Sequence, residues 1–217
     1  MLDWDFMIHS IPAYTKGLYL TLQISFWGIL FALIVGFMVA LTLYYQIKYI
    51  KTISKIYIEI SRNTPMLIHL FFLYYGLSQI GLKLEAYQCA IISVAFLGGS
   101  YMAESFRSGL QAINKTQIDS GKSLGLGKFS LFYHVILPQS LSISIPYLGA
   151  NTIFLLKETS VVSAVALVDV MFVTRDFIGT YYKTDEALLM LVLSYLIVLL
   201  PISALFVFLE HQYKKRL

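Results

Sequence analysis

Arg62 stands two residues ahead of a Thr64-Pro65 step, at the start of a long uncharged run. Proline confines Thr64 to extended backbone and removes a rung from any helix ladder. A helix broken in this way exposes backbone donors, and a guanidinium meets a carboxylate at two points. The combination suits an anionic group on a ligand; the plainer reading is an arginine whose head reaches back to an interface. Glu158 follows Lys157 at the end of another uncharged run, with Asp169 further along. Either carboxylate could recognise an ammonium, or simply be solvated. Thr64, Asn151 and Ser160 add neutral hydroxyl and amide groups to the same regions. Glu104 and Arg107, three apart, share a helix face and are expected to form a structural ion pair. His69, alone in an apolar run, is expected to pack and to hydrogen-bond a neighbouring helix.

Other chemistries fail on spacing. Gly121-Lys122-Ser123 ends like a phosphate-binding loop, but the glycine required five positions earlier is Thr116. Gly125-x-Gly127 lacks the third glycine of a dinucleotide loop, because position 130 is Ser. Four scattered histidines supply no metal or catalytic cluster, and one cysteine, Cys89, excludes an intramolecular disulfide framework. The chain is therefore expected to hold no metal, nucleotide or catalytic group of its own.

The elements that must position these groups follow from composition. The 217 residues are 58% apolar and 13% charged, with a mean hydropathy of +0.74. A soluble domain needs far more charge to cover its surface, so lipid is the solvent for most of the chain. The net charge of +4 lies at the ends of apolar runs and forms no nucleic-acid patch. Asp3 and Asp5 stand where a cleavable signal would carry its basic region.

A bilayer core needs about 20 apolar residues of helix. Stretches without charge run over residues 17–47, 63–82, 86–103, 129–156 and 187–209. They predict an all-α integral membrane domain over 1–217, with about five spans near 15–47, 53–82, 86–110, 129–156 and 187–210. The runs are too continuously apolar for a barrel. With the N-terminus outside, Lys48, Lys51, Lys55, Arg107, Lys115, Lys122, Lys128, Lys214, Lys215 and Arg216 lie inside. Lys16, Lys83, Lys157, Arg175 and Lys183 then lie outside, with Arg62 unassigned. That asymmetry predicts N-out, C-in. The outer segment 157–186 is long for a plain loop, and Val161–Val168 predicts a short piece that dips back or packs on the bundle. Pro138, Pro146, Gly149 and Pro201 predict kinks.

The loop at 112–130 is polar yet patterned. Asn114 or Thr116 can cap a short helix whose Ile118, Gly121 and Leu124 form a narrow face, and Gly125 supplies the stop. Such a helix either contacts a soluble partner or rests on lipid headgroups.

Asp119-Ser120-Gly121, then Gly125, then Val135-Ile136-Leu137-Pro138 resembles the cytoplasmic loop signature of bacterial ABC importer permeases. That signature is Glu-Ala-Ala, three residues, Gly, nine residues, Ile-x-Leu-Pro. Asp replaces Glu, Ser-Gly replaces Ala-Ala and Val replaces Ile. Three further stretches resemble the polar amino-acid subfamily: Arg62-Asn-Thr-Pro-Met-Leu67, Ala103-Glu-Ser-Phe-Arg-Ser-Gly109 and Lys157-Glu-Thr-Ser160. The resemblance runs from about residue 12 to the C-terminus. It implies a multi-pass permease of the bacterial inner membrane, built from a homodimer or heterodimer of such chains. Two cytoplasmic ATPase subunits that hold ATP and Mg, an external solute-binding protein and an amino-acid substrate complete the implied system. It implies that Gln117, Asp119, Ser120, Gly121, Leu124, Gly125 and Leu126 couple the path to the ATPase. Arg62, Thr64, Asn151, Glu158, Ser160 and Asp169 are the candidates for the substrate path. The rival reading, an independent secondary transporter or channel, usually shows internal repeats or a line of buried ionisable groups, and neither is evident here.

Overall fold

Asp3 opens the first helix by accepting the Phe6 amide at 3.0 Å. With that cap in place α1 runs Trp4–Tyr44, starting well before the expected limit near residue 15. Lys16 does not interrupt it, because charge at a span's end does not stop a helix. The structure, a computed structural model, describes residues 2–214, and no strand occurs among them. Lys215 and Arg216, used above for orientation, lie outside the described residues.

The remaining elements are α2 Ile50–Arg62, α3 Met66–Phe71, α4 Leu77–Gln79, α5 Ala86–Gln111, α6 Lys115–Ser123, α7 Lys128–Leu131, α8 Leu137–Glu158, α9 Val170–Tyr181 and α10 Thr184–Lys214. A π turn, Phe72–Gly76, joins α3 to α4, and a second, Phe132–Ile136, joins α7 to α8. Pro138 offers no amide to the turn before it, and there the Leu137 amide reaches the Phe132 carbonyl. Among the described residues, three single helices are long and apolar enough to cross a bilayer: Trp4–Tyr44, Ala86–Gln111 and Thr184–Tyr213. Of the other two expected segments, 53–82 is divided by the Asn63–Pro65 break into α2 and a rod from Met66 to Gln79, and 129–156 lies within a rod from Lys128 to Glu158; a π turn interrupts each rod.

The centre of the bundle is the crossing of α1 and α5. Gly28, Ala32, Gly36 and Ala40 repeat every four residues along α1 and are all buried. A Cβ on Gly36 would stand 2.8 Å from the Ala103 nitrogen and 2.9 Å from the Gly99 oxygen. The two backbones therefore touch, which is how helices gain dispersion contact where lipid offers no hydrophobic drive.

α2 is two-sided. Ile50, Ile53, Ile56 and Ile60 face outward, while Ser54, Ile58 and Ser61 are buried. Tyr57 and Ser61 donate to the Phe96 carbonyl on α5, at 2.7 and 3.0 Å. Asn63, Thr64 and Pro65 then break the rod before α3 begins, as the Thr-Pro step requires.

The segment after α8 folds back onto the bundle. Thr159–Val165 forms a 3-10 turn whose Val162 and Val165 enter the main core. At the end of the bundle where α1 and α10 begin, Lys183 pairs with Asp3 at 2.8 Å and the Asp3 amide donates to Glu186 at 2.9 Å. These bonds tie the start of α1 to the start of α10. At the opposite end, Tyr45 lies against Phe132, the residue after α7.

Candidate functional site

The break between α2 and α3 opens a cavity of about 340 Å³. Arg62, Thr64 and Pro65 form one wall, Leu97 and Tyr101 of α5 a second, and Phe154, Glu158 and Val161 a third. Arg62, Thr64 and Glu158, three of the sequence-derived candidates, thus share one space. The guanidinium of Arg62 lies over the Tyr101 ring at 5.1 Å. An aromatic face holds a cation without consuming its hydrogen-bond donors, so the fork is steadied and still able to meet a carboxylate. Tyr101 was not among the sequence candidates; only its position on the α5 wall brings it in.

The other candidates lie elsewhere. Asn151 does not line this cavity: its amide donates to the Ser105 hydroxyl at 2.8 Å and to the Tyr101 carbonyl at 3.3 Å, clamping α8 to α5. Ser160 gives its carbonyl to Ser163 within the 3-10 turn. Glu104 and Arg107 form a two-point ion pair within α5. Among the described residues, His69 has no hydrogen-bond partner on either ring nitrogen, and it packs edge-on against Phe96 at 4.9 Å. The expected bond to a neighbouring helix is absent because α5 presents an aromatic ring there.

Asp169 is wholly buried at the start of α9, not at an outer mouth. Its Oδ1 accepts the Phe172 amide at 2.8 Å, while Oδ2 has no partner. Burial without a cation pushes its pKa up from 3.8 to about 6, against the opposing pull of the Phe172 amide. That shift corresponds to about 3 kcal/mol of cost to the folded state. Since this acid's pKa is raised on folding, the cost is present above about pH 6 and vanishes as the pH falls below 3.8. Asn caps a helix as well as Asp and carries no charge. Asp169→Asn should therefore raise the Tm of the detergent-purified complex at pH 7.5, and the gain should shrink at pH 4.5. A gain equal at both pH values would show that the buried charge is not its source.

At the other end of the bundle, the Asn114 side chain accepts the Thr116 amide at 3.0 Å and starts α6. Lys122 pairs with Asp119 at 3.1 Å on the exposed face of α6. Gly121 is the inward anchor, for a Cβ there would stand 2.4 Å from Leu131 Cδ1. The helix then closes by two backbone bonds, Gly125 to the Lys122 carbonyl at 2.9 Å and Leu126 to the Gly121 carbonyl at 3.1 Å. Gly125 sits at φ +79°, the left-handed conformation that glycine adopts at least cost. The expected face of Ile118, Gly121 and Leu124 is corrected by this stop. The chain leaves the helix at Leu124, which is 82% exposed, and Leu126 turns back to join Ile118 against the core. Gln117, Ser120 and Leu124 are left facing solvent, with Asp119 and Ser123 beside them.

Comparison with known proteins agrees with this architecture. The chain is 32% identical over 207 residues to the "probable amino-acid permease protein YxeN" of Bacillus subtilis (strain 168), covering 94% of this chain and 92% of that one. It is 30% identical to the "probable amino-acid ABC transporter permease protein PatM" of Vibrio harveyi, over 89% of this chain and 88% of the relative. A crystal structure of an amino acid ABC transporter with histidines superposes with a TM-score of 0.89 at 29% identity, covering 98% of this chain and 99% of the other. The family described as binding-protein-dependent transport system inner membrane components matches residues 28–215, almost the whole of the bundle and the α6 loop, and the chain belongs to it.

Proposed function

We propose that this chain is the permease of an amino-acid importer, and that the Arg62–Glu158 cavity holds the substrate on its path. As a member of its family the chain is a transport subunit of the inner membrane; ATP hydrolysis belongs to a separate ATPase. Such a permease works with that ATPase, a binding protein and a second permease chain. The finer reading is five spans, N-out and C-in. Two ATPase subunits that hold ATP and Mg dock on α6, and the second permease is a copy of this chain or a close homologue. The Ile136-Leu137-Pro138 step makes α7 and α8 one lever, so that a pull on α6 tilts the wall carrying Glu158.

One observation carries the amino-acid reading. Arg62 and Glu158 stand on two walls of one cavity of about 340 Å³, with apolar Leu97, Phe154 and Val161 between them. A zwitterion in an apolar bundle needs a partner for each charge, since an unpaired buried charge costs several kcal/mol. The test is to copurify the chain with its ATPase and binding protein and to measure which solutes stimulate hydrolysis. Stimulation by amino acids and not by sugars or peptides supports the reading; stimulation by another class overturns it.

The orientation has its own test. Lys122 is exposed on α6, the surface proposed to meet the ATPase. An impermeant thiol reagent added to intact cells should spare Lys122→Cys and label it once the membrane is opened. Labelling from outside would reverse the topology.

A further inference from the structure

A second cavity, of about 450 Å³, lies between the end of α1, α2 and the last turns of α5. Its charged walls are Lys51, Lys55 and Glu59 on α2 and Glu104 and Arg107 on α5. We propose that it is an inner station for the amino acid, reached after the Arg62–Glu158 cavity and before release at the α6 end. This rests on the amino-acid import reading above.

The two cavities lie along the same pair of helix faces. On α2, Lys51, Lys55, Glu59 and Arg62 follow at intervals of four, four and three, which keeps them on one stripe. On α5, Tyr101, Glu104 and Arg107 follow at intervals of three. Both stripes start at the outer cavity, where Arg62 and Tyr101 touch, and run into the inner one. At 1.5 Å per residue, Lys55 is about 10 Å from Arg62 along the helix axis, roughly two turns. The opposite face of α2 is the isoleucine row, so its charge is gathered on the cavity side.

The pairing pattern suits a zwitterion. Glu104 is neutralised by Arg107. Lys55 and Glu59 are one turn apart, yet they do not pair with each other, nor is either in an ion pair among the described residues. Among the described residues, the Glu59 carboxylate accepts only the neutral Asn63 amide, at 3.2 Å. One turn of helix thus offers a cation for an α-carboxylate and an anion for an α-ammonium, with the Glu104–Arg107 pair opposite to exchange partners. Moving a zwitterion between such stations replaces one set of ion pairs with another and avoids a bare charge in the path.

The complex of permease, ATPase and binding protein is reconstituted in liposomes with ATP inside. Uptake of a tritiated equimolar mixture of L-amino acids is compared for an empty lumen and one loaded with the same unlabelled mixture at tens of millimolar. An inner station fills from the lumen, so wild-type uptake should fall several-fold on loading. In Lys55→Gln and Glu59→Gln the loaded-to-empty ratio should move toward one, and Lys55→Arg should restore the wild-type ratio. If wild type is insensitive to loading, or the neutral variants are inhibited as strongly as wild type, the inner station is wrong. Failure of the wild type to take up any amino acid into empty liposomes would instead overturn the amino-acid reading itself.

Discussion

Gly125→Val should abolish uptake while leaving the chain inserted in the membrane. Gly125 holds φ +79° and closes α6 by two backbone bonds. A left-handed conformation costs an L-residue about 1–2 kcal/mol, and a β-branched one more, because its Cβ substituents crowd the backbone. That cost exceeds what a nine-residue helix with a single side-chain cap can absorb. The last turn would unwind, Leu126 would leave the core, and α6 would lose its fixed angle to α7. Leaving aside its two chain neighbours, no atom of the described residues lies within 4 Å of a Cβ placed at Gly125, so the replacement meets no wall and the loss is one of backbone alone. Two companion variants separate this cause from a direct contact with the ATPase. Asn tolerates the left-handed region, and Gly125→Asn should retain most of the uptake; Gly125→Ala should fall between the two. Equal loss in all three would mean that the ATPase packs against the glycine itself. Wild-type uptake in Gly125→Val would remove the stop from the coupling mechanism.

Much of this was legible in the residues. The short helix in the 112–130 loop, its cap at Asn114 or Thr116 and the glycine stop follow from local rules, and the structure selects Asn114. The Thr64-Pro65 break is equally local. Other features depend on which helix lies opposite. The Gly28, Ala32, Gly36, Ala40 repeat is plain once α5 is known to press on it, and small residues every four positions were the available signal. His69 finds an aromatic ring where a hydrogen-bonding helix was expected, since nothing in its own span reports the neighbour. Asp169 looked like a surface carboxylate because its nearest sequence neighbours are ordinary; in the fold its backbone lies against α1, 3.0 Å from a Cβ placed at Gly17, with the Val170 amide donating to Thr21 at 3.5 Å. Leu124 was misplaced by one step of reasoning, for the helical period was carried past the residue where the helix ends. The cavity itself joins residues almost a hundred positions apart, and no local pattern places Arg62 opposite Glu158.

Neutralising either charge of that cavity should cut uptake at limiting substrate. Arg62 and Glu158 line its walls with Tyr101 between them on α5. If Arg62 binds the substrate carboxylate, Arg62→Gln removes the charge and keeps much of the volume. The substrate must then desolvate its carboxylate against a neutral amide, a loss on the order of 2–5 kcal/mol for a buried charge pair cut on one side. Uptake at limiting substrate should fall at least tenfold, since about 1.4 kcal/mol already makes that difference. Glu158→Gln should show the same loss through the ammonium. Neither residue belongs to α6 or its stop, so ATP hydrolysis stimulated by the binding protein should fall much less than uptake. Structural damage would lower both together, and assembly measured by copurification of the ATPase separates that case. Arg62→Lys keeps the charge but not the fork, and should recover part of the uptake; a point charge can meet one carboxylate oxygen where the guanidinium meets two. Should Arg62→Gln and Glu158→Gln both transport normally at limiting substrate, the path must pair its cargo through neutral groups and these residues are interfacial charges. Should hydrolysis and uptake fall in step with loss of assembly, Arg62 on its Tyr101 platform is a clamp between α2 and α5 and not a substrate contact.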